Sequence, residues 1–118
     1  PPVPPGGAGY AGIEECGYCH KAAVDFWKTT RHQQAWETLE QLGKHASRDC
    51  ISCHVTGWQE PGGAVLTQNE ALRDVQCEEC HGPGSKHAKK PDAKGLIARK
   101  PDPRGCVEAC HHPPHVVG

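Results

Sequence analysis

The eight cysteines of the chain form four close pairs, and a histidine directly follows the second cysteine of every pair. The four groups are Cys16, Cys19 and His20; Cys50, Cys53 and His54; Cys77, Cys80 and His81; and Cys106, Cys110 and His111. The first three have the spacing C-x-x-C-H, which is the attachment signature for haem c. The fourth has one extra residue between its cysteines. The pattern therefore predicts four covalently bound haem c groups, with iron as the metal.

This spacing suits the chemistry of haem attachment. On a helical turn, positions three or four apart share one face, so both gaps place two sulfur atoms side by side for two thioether bonds. The histidine that follows is then positioned to be the proximal ligand of the iron. Paired cysteines also occur in zinc sites, built from four cysteines or from three cysteines and a histidine, and in disulfides. Neither alternative requires a histidine after every pair, so the pattern favours haem.

The composition indicates that side chains alone cannot fill the interior. Only 36% of the 118 residues are hydrophobic, whereas an ordinary globular domain has about 45–50%. There is a single Phe, with 14 Gly and 11 Pro. A chain of this size needs a well-filled core or another source of stability. We expect bound haem to supply it, within one domain spanning residues 13–118.

Residues 1–12 are rich in Pro and Gly and lack hydrophobic periodicity, which predicts an extended N-terminal arm. The arm would be either a disordered terminus or a strap that packs on a haem face or on another molecule. No segment reaches the roughly 18 apolar residues of a membrane span. The sequence shows no charged and apolar leader, as expected for the mature form of an exported protein. Its net charge of −1 argues against a general nucleic-acid binder.

Short helices separated by coil are predicted to carry the four motifs. The best helix candidate spans residues 20–42 and ends at Gly43. Four of its residues form a single stripe: His32, Ala35, Trp36 and Leu39. Thr67 and Glu70 fit a capping box, which predicts a short helix before the third motif.

The remaining segments are predicted to be irregular. Residues 57–64 are a loop and residues 91–105 a coil, while Gly-Pro-Gly at 82–84 forms a turn directly after His81. No strand pattern of useful length occurs. The predicted fold class is therefore mainly α with extensive coil and little or no sheet, a small multihaem cytochrome c fold organised around four haems.

Five histidines remain after the four proximal ligands are assigned, and they are the candidate distal ligands: His87, His32, His112, His115 and His45. The sequence has no Met, which removes the His/Met ligation found in some cytochromes c. The choices left are two histidines per iron, a rarer side chain such as Lys, or an open position. Five spare histidines for four irons favour mostly bis-histidine iron.

Charge is unevenly distributed along the chain. Residues 1–80 carry 6 basic and 11 acidic side chains, and residues 81–118 carry 7 basic and 3 acidic ones. The basic set is Lys86, Lys89, Lys90, Lys94, Arg99, Lys100 and Arg104. It would either balance haem propionates or form a docking patch for an acidic redox partner or a second copy.

Three segments resemble the tetrahaem cytochrome c-554 family: TRHQQAW at 30–36, CISCHVTG at 50–57 and VQCEECHGPGSKH at 75–87. The resemblance implies a mostly helical fold around closely packed haems, in stacked and perpendicular pairs. It also implies that His32 and His87 are distal ligands. The fourth motif departs from the family pattern, and the chain is much shorter than the type member of the family.

These observations predict an electron-transfer protein rather than an enzyme, with electrons hopping along four close haems. Its expected partners are redox proteins, in particular other cytochromes, and it is expected in the periplasm or outside the cell. Two other functions stay open: the subunit of an extracellular cytochrome filament, as a homopolymer, and a small reductase of nitrogen oxides or peroxide with one open distal site.

Overall fold

The computed structural model describes residues 1–113, so the candidate ligand His115 lies outside the described residues. Seven short α-helices are present in this range: α1 Ile13–Cys19, α2 Lys21–Trp27, α3 Ala35–Gln41, α4 Arg48–Ile51, α5 Cys77–His81, α6 Ser85–Lys89 and α7 Arg104–Ala109. Residues 1–113 contain no strand, only the isolated bridges Val55–Arg73 and Val65–Gln68. The mainly helical fold with extensive coil is confirmed. None of these helices combines the length and apolarity that crossing a bilayer requires.

The single helix predicted over residues 20–42 is wrong, because the segment is divided into three parts. Helix α2 ends at Trp27, a 3₁₀ turn covers Arg31–Gln34, and α3 follows. The hydroxyls of Thr29 and Thr30 donate to the carbonyls of Phe26 and Trp27, at 2.6 and 2.7 Å. These local bonds compete with the helical ladder and end α2.

The second half of that prediction holds. Ala35, Trp36 and Leu39 are buried along one face of α3, whereas His32 is exposed. Gly43 adopts a φ of 68° after the helix, and the N–H of Lys44 donates to the carbonyl of Leu39 at 2.8 Å. This is the glycine-terminated helix end that the sequence predicts.

The capping box predicted at Thr67 and Glu70 is wrong. The segment forms only a 3₁₀ turn, Glu70–Leu72, and it starts after Asn69. The amide of Asn69 donates to the carbonyls of Val65 and Leu66, which makes a tight loop where the box would begin the helix. The predicted coil at 91–105 is correct as far as residue 103, and α7 begins at Arg104.

The hydrophobic core is one small cluster beside α3 and α4. Its buried members are Trp36, Leu39, Ile51, Val55, Ala64 and Leu72. The guanidinium of Arg73 lies over the Trp36 ring, 4.5 Å from its centroid, in a cation–π contact. The core includes Ile51 of the second motif, but it contains no residue of the third or fourth motif.

The N-terminal arm packs against the rest of the chain. Its residue Gly9 exchanges two hydrogen bonds with Ser85, at 2.8 and 3.1 Å, and the N–H of Gly62 donates to the carbonyl of Pro1 at 2.8 Å. The ring of Tyr10 covers Gly57, where a Cβ would lie 2.6 Å from it. Of the two possibilities for residues 1–12, these contacts match a strap, although one that packs on this chain's own loop and helix α6.

Candidate haem-binding sites

Each cysteine–histidine motif lies on a helical turn that carries its histidine round. Helix α5 contains the whole third motif, and Cys16 and Cys19 lie in α1. The N–H of His20 donates to the carbonyl of Cys16 at 2.9 Å, and the N–H of His54 donates to that of Ile51 at 2.9 Å. The turn therefore continues to the histidine after the cysteines, as thioether attachment beside an axial ligand requires.

The fourth motif accommodates its extra residue within one turn. The N–H groups of Cys110 and His111 both donate to the carbonyl of Cys106, at 3.2 and 2.7 Å. The carbonyl of Cys106 therefore closes the turn even though one more residue lies between the two cysteines. A spacing of C-x-x-x-C-H thus keeps the histidine next to its cysteines.

Two of the proximal histidines are oriented by backbone carbonyls. Nδ1 of His54 lies 2.5 Å from the carbonyl oxygen of Ala35, and Nδ1 of His81 lies 2.5 Å from that of Ala98. A carbonyl only accepts hydrogen bonds, so Nδ1 of each ring carries the proton. Nε2 then keeps its lone pair, which is the arrangement that metal-binding histidines use.

Within each of two histidine pairs, the two rings lie at the distance expected for ligands of one metal ion. The ring centroids of His20 and His87 are 6.4 Å apart with an interplanar angle of 22°, and those of His32 and His111 are 6.1 Å apart at 74°. Two imidazoles bound to one ion at about 2 Å would have centroids about 6 Å apart. Nδ1 of His87 is buried and has no hydrogen-bond partner among residues 1–113. The residues present therefore fit an iron held between two histidines.

The other two candidate distal ligands within residues 1–113, His45 and His112, contact groups other than a histidine ring. His45 lies edge-on to the Trp36 ring, 6.2 Å between centroids, and Nδ1 of His112 lies 2.9 Å from the carbonyl oxygen of Pro113. The backbone of His32 is hydrogen bonded to the segment that leads into the third motif. The N–H of Val75 donates to the His32 carbonyl at 3.0 Å, and Nε1 of Trp27 donates to the Val75 carbonyl at 2.7 Å.

The cysteine thiols bring different motifs together. Cys16 lies close to Cys77 of the third motif, and its thiol donates to the carbonyl of Gly12 at 3.5 Å. Cys53 likewise lies close to Cys110 of the fourth motif, and Sγ of Cys53 donates to the carbonyl of Ala109 at 3.6 Å. The first motif therefore lies beside the third, and the second beside the fourth.

Neighbouring thiols and burial shift the pKa values of several cysteines. The neighbouring Cys16 thiol lowers the pKa of Cys77 to about 6, and the neighbouring Cys77 thiol raises the pKa of Cys16. Burial raises the pKa of Cys110 to about 12 and also raises that of Cys80, where the nearby Cys106 adds to the effect. The thiolate form is therefore favoured at Cys77 relative to Cys16.

The structure does not support the two alternatives to haem. Within residues 1–113, no three His, Cys, Asp or Glu side chains come together in a group that could hold a metal ion such as zinc. The eight cysteines, all of them in this range, are free thiols rather than disulfides. Pairs of histidines with adjacent thiols match the needs of haem, because the porphyrin itself supplies four ligands.

Glu78 is a site residue that the sequence did not single out. It lies inside the third motif, and only 1% of it is exposed. Its carboxylate accepts hydrogen bonds from the N–H groups of Ala11, Gly12 and Gly84 at 2.6–2.8 Å. Glutamate is almost never fully buried unless it is paired. Two of its three donors, Ala11 and Gly12, lie more than 60 positions from residue 78, so no local pattern could reveal the complete set.

Comparison with known proteins places these motifs in a family. The family described as cytochrome c554 and c-prime matches residues 15–82, which contain the first three motifs in full. Cytochrome c-554 of Nitrosomonas europaea is 34% identical over 93 residues, covering 65% of this chain and 40% of that protein. A 49-residue stretch is 41% identical to the DnaJ protein homolog XDJ1 of Saccharomyces cerevisiae, but it covers only 10% of that protein and carries no argument here.

The fold agrees with this assignment. The solved structure of the reduced state of cytochrome c554 from Nitrosomonas europaea matches with a TM-score of 0.61 and 33% identity, over 70% of this chain and 47% of that one. The chain spans less than half the length of the curated cytochrome and of the solved chain that it matches. The family match covers more than half of this chain, and the turns and histidine pairs fit haem. The chain is therefore a c-type cytochrome with haem c as its cofactor, and it belongs to the cytochrome c554 family.

Proposed function

We propose that this chain is an electron carrier with four haem c groups. Two thioether bonds per group come from the eight cysteines: Cys16 and Cys19, Cys50 and Cys53, Cys77 and Cys80, and Cys106 and Cys110. The proximal ligands are His20, His54, His81 and His111. Each bound iron supplies reversible one-electron exchange between its ferric and ferrous states. The observation that carries the proposal is the separation of two pairs of histidine rings. The centroids of His20 and His87 are 6.4 Å apart and those of His32 and His111 are 6.1 Å apart, as expected for two ligands of one iron.

The ring separations support an assignment of two distal ligands. His87 would be the second ligand of the first motif's iron, with His20, and His32 would be that of the fourth motif's iron, with His111. His54 and His81 are held by carbonyls with Nε2 free to bind iron. The candidates for their distal partners are His45, His112 and His115. Histidine on both sides of the iron favours a low potential, with little change of geometry between oxidation states.

The chain's own contacts support hopping between groups. The cysteine contacts link the first motif to the third and the second to the fourth, while Cys80 and Cys106 approach each other between the third and fourth. This connects the motifs in the order first, third, fourth, second. The described chain measures only 41 × 30 × 25 Å, so the four attachment points are close neighbours. The protein's part is to tether, ligate and bury the groups.

The proposed partners are other redox proteins, and the proposed location is the periplasm. Covalent attachment of haem c belongs to exported proteins, which favours a compartment outside the cytoplasm. Seven basic side chains follow residue 81, and all of them are exposed: Lys86, Lys89, Lys90, Lys94, Arg99, Lys100 and Arg104. Such a surface favours an anionic partner.

The test combines mass and spectroscopy on the purified native protein. We expect an intact mass equal to the polypeptide plus four haems, four irons per chain, and reversible reduction. We expect His87→Ala and His32→Ala each to convert one low-spin iron to a high-spin iron that binds carbon monoxide when reduced. Lys89→Ala, an exposed change in the same helix as His87, is the matched control and should leave the spectrum unchanged. A bare polypeptide mass would refute the proposal.

The same measurements separate the two other functions. Carbon monoxide binding by the reduced wild-type protein would reveal an open distal site and favour a reductase, whereas an unchanged spectrum excludes it. Concentration-dependent assembly, followed by sedimentation, would favour a filament subunit.

A further inference from the structure

Glu78 stands out among the buried groups that the electron-transfer proposal does not use. A carboxylate that is 1% exposed costs considerable free energy unless it is fully hydrogen bonded. Oε2 of Glu78 accepts from the N–H groups of Ala11, at 2.8 Å, and Gly84, at 2.6 Å. Oε1 accepts from the N–H of Gly12 at 2.7 Å. Three main-chain donors from two separate segments therefore converge on this one side chain.

These donors lie where two helices begin. Gly12 directly precedes α1, and Gly84 directly precedes α6. Helix α1 leads into His20, and α6 carries His87, which are the two rings that face each other at 6.4 Å. A single carboxylate thus fixes the starting points of both helices that present the ligands of the first iron.

We propose, building on the electron-transfer function proposed above, that Glu78 is a positioning residue for the axial ligands of the first haem. It binds neither haem nor iron. It holds α1 and α6 at one separation, so that His20 and His87 stay close enough to bind the same iron. Because Glu78 lies in the third motif, the position of that motif affects how the iron of the first motif is ligated.

The chemistry of the contact requires a carboxylate. All three partners are N–H donors, so both oxygens must accept. A glutamine would replace one oxygen with an NH₂ group, which would point a donor at another donor. The contact is also sterically tight, because a Cβ at position 84 would lie 3.2 Å from Oε2. The backbone at Gly84 has a φ of −106°, which any residue can adopt, so it is this close approach that favours glycine there.

Two other contacts join the same parts but cannot replace Glu78. The side chain of Ser85 accepts from the N–H of Gly9, and Oε1 of Gln76 accepts from the N–H of Ile13. The first holds the arm to α6 and the second holds α1 to the third motif. Among residues 1–113, the carboxylate of Glu78 is the one side chain that hydrogen bonds to the start of both ligand-bearing helices.

The decisive experiment compares Glu78→Gln with Glu79→Gln in the complete, haem-loaded chain. Glu79 is the neighbouring residue of the same motif, and its one hydrogen bond within residues 1–113 is from the N–H of Gly57, at 2.9 Å. Both changes remove one charge. We expect Glu78→Gln to keep four haems by intact mass but to lose up to about a quarter of the low-spin electron paramagnetic resonance signal, one iron in four. Glu79→Gln should lose none.

Added imidazole provides the readout that a general loss of structure would not give. It should restore the low-spin signal of Glu78→Gln, because His20 still holds one side of the iron and only the distal position has opened. A low-spin signal in Glu78→Gln equal to that of the wild type and of Glu79→Gln would overturn the proposal. So would a loss spread over all four irons.

A second variant tests the contact from its other side, in case Glu78→Gln does not fold. Gly84→Ala keeps the carboxylate but crowds Oε2, whereas a Cβ at Gly105 meets no atom within 4 Å, so Gly105→Ala is its control. We expect the same single high-spin iron in Gly84→Ala only. A normal spectrum in Gly84→Ala would count against the proposed positioning role of Glu78. Failure of the electron-transfer proposal is distinguishable, since it would be seen in the wild type as missing haem or missing reversible reduction.

Discussion

Tyr10 joins the N-terminal arm to the loop that follows the second motif. Its ring packs against Gly57, whose φ of 69° and lack of a side chain make room for it. Burial raises the pKa of Tyr10 to about 12, and the charges of Glu79, Glu60 and Glu78 add to that increase. The neutral phenol is therefore the form that the fold stabilises.

This raised pKa predicts a loss of stability at high pH. Between pH 10 and pH 12 the unfolded chain releases the phenol proton while the folded chain keeps it, so the free energy of unfolding falls as the pH rises through this window. Because Tyr10 is partly exposed, we expect a loss of the order of 1–2 kcal/mol. Below pH 10 the group should contribute no pH dependence.

Denaturant unfolding of the wild type and Tyr10→Phe between pH 8 and about 12 measures this effect. Phe keeps the ring on Gly57 but has no proton to release, so its curve should stay above that of the wild type by an amount that grows from about pH 10. Parallel curves would contradict the assignment, because lysine titration affects both proteins equally.

Among the helices, α3 is the element that organises the small side-chain core. It is seven residues long, far too short to be stable alone in water. Its Ala35, Trp36 and Leu39 are buried against α4 and the loop that follows it, while the rest of its surface is exposed. Tertiary packing rather than helix propensity therefore holds this helix in place.

Two leucines in and next to α3 allow this to be tested with a matched pair. Leu39 is 3% exposed and belongs to the core cluster, whereas Leu42, just after the helix, is 64% exposed. We expect Leu39→Ala to lower the free energy of unfolding by about 2–5 kcal/mol, and Leu42→Ala to change it by about 0.5 kcal/mol or less. Denaturant titration followed by circular dichroism gives both values. Equal effects would mean that the bound haems, not this cluster, dominate the stability.

Across the whole molecule, charge is divided between the two parts of the chain. The first 80 residues are acidic, and the basic side chains after residue 81 are exposed. Only Arg104 among them forms an ion pair within residues 1–113, with Asp102 at 2.8 Å. The remaining cations face solvent and are available to attract an anionic redox partner.

This asymmetry predicts salt-dependent electron exchange with an anionic oxidant. We expect the double change Lys89→Glu and Lys90→Glu to slow oxidation of the reduced protein by ferricyanide several-fold at about 10 mM salt, with the difference shrinking towards 1 M as the Debye length falls to about 3 Å. Stopped-flow absorbance measures the rates. Lys28→Glu with Lys44→Glu, an equal charge change in the acidic part, should slow the reaction less. Equal slowing would show that only net charge matters.

The chemistry of the four motifs could be predicted from the sequence, because thioether attachment and proximal ligation involve residues within six positions of one another. The same local logic correctly located the buried stripe of α3 and its end at Gly43. It was wrong about the helix over 20–42 and the capping box at Thr67, since side-chain bonds from Thr29, Thr30 and Asn69 to nearby carbonyls outweighed periodicity.

Only the tertiary structure decided how distant residues meet. The pairing of His20 with His87 and of His32 with His111, and the contact of Glu78 with Gly12, join segments far apart in the chain. Such contacts depend on how the backbone folds between them, which no spacing of residues encodes locally. The sequence thus determined what the protein binds covalently, and the fold determined which side chains meet across each binding site.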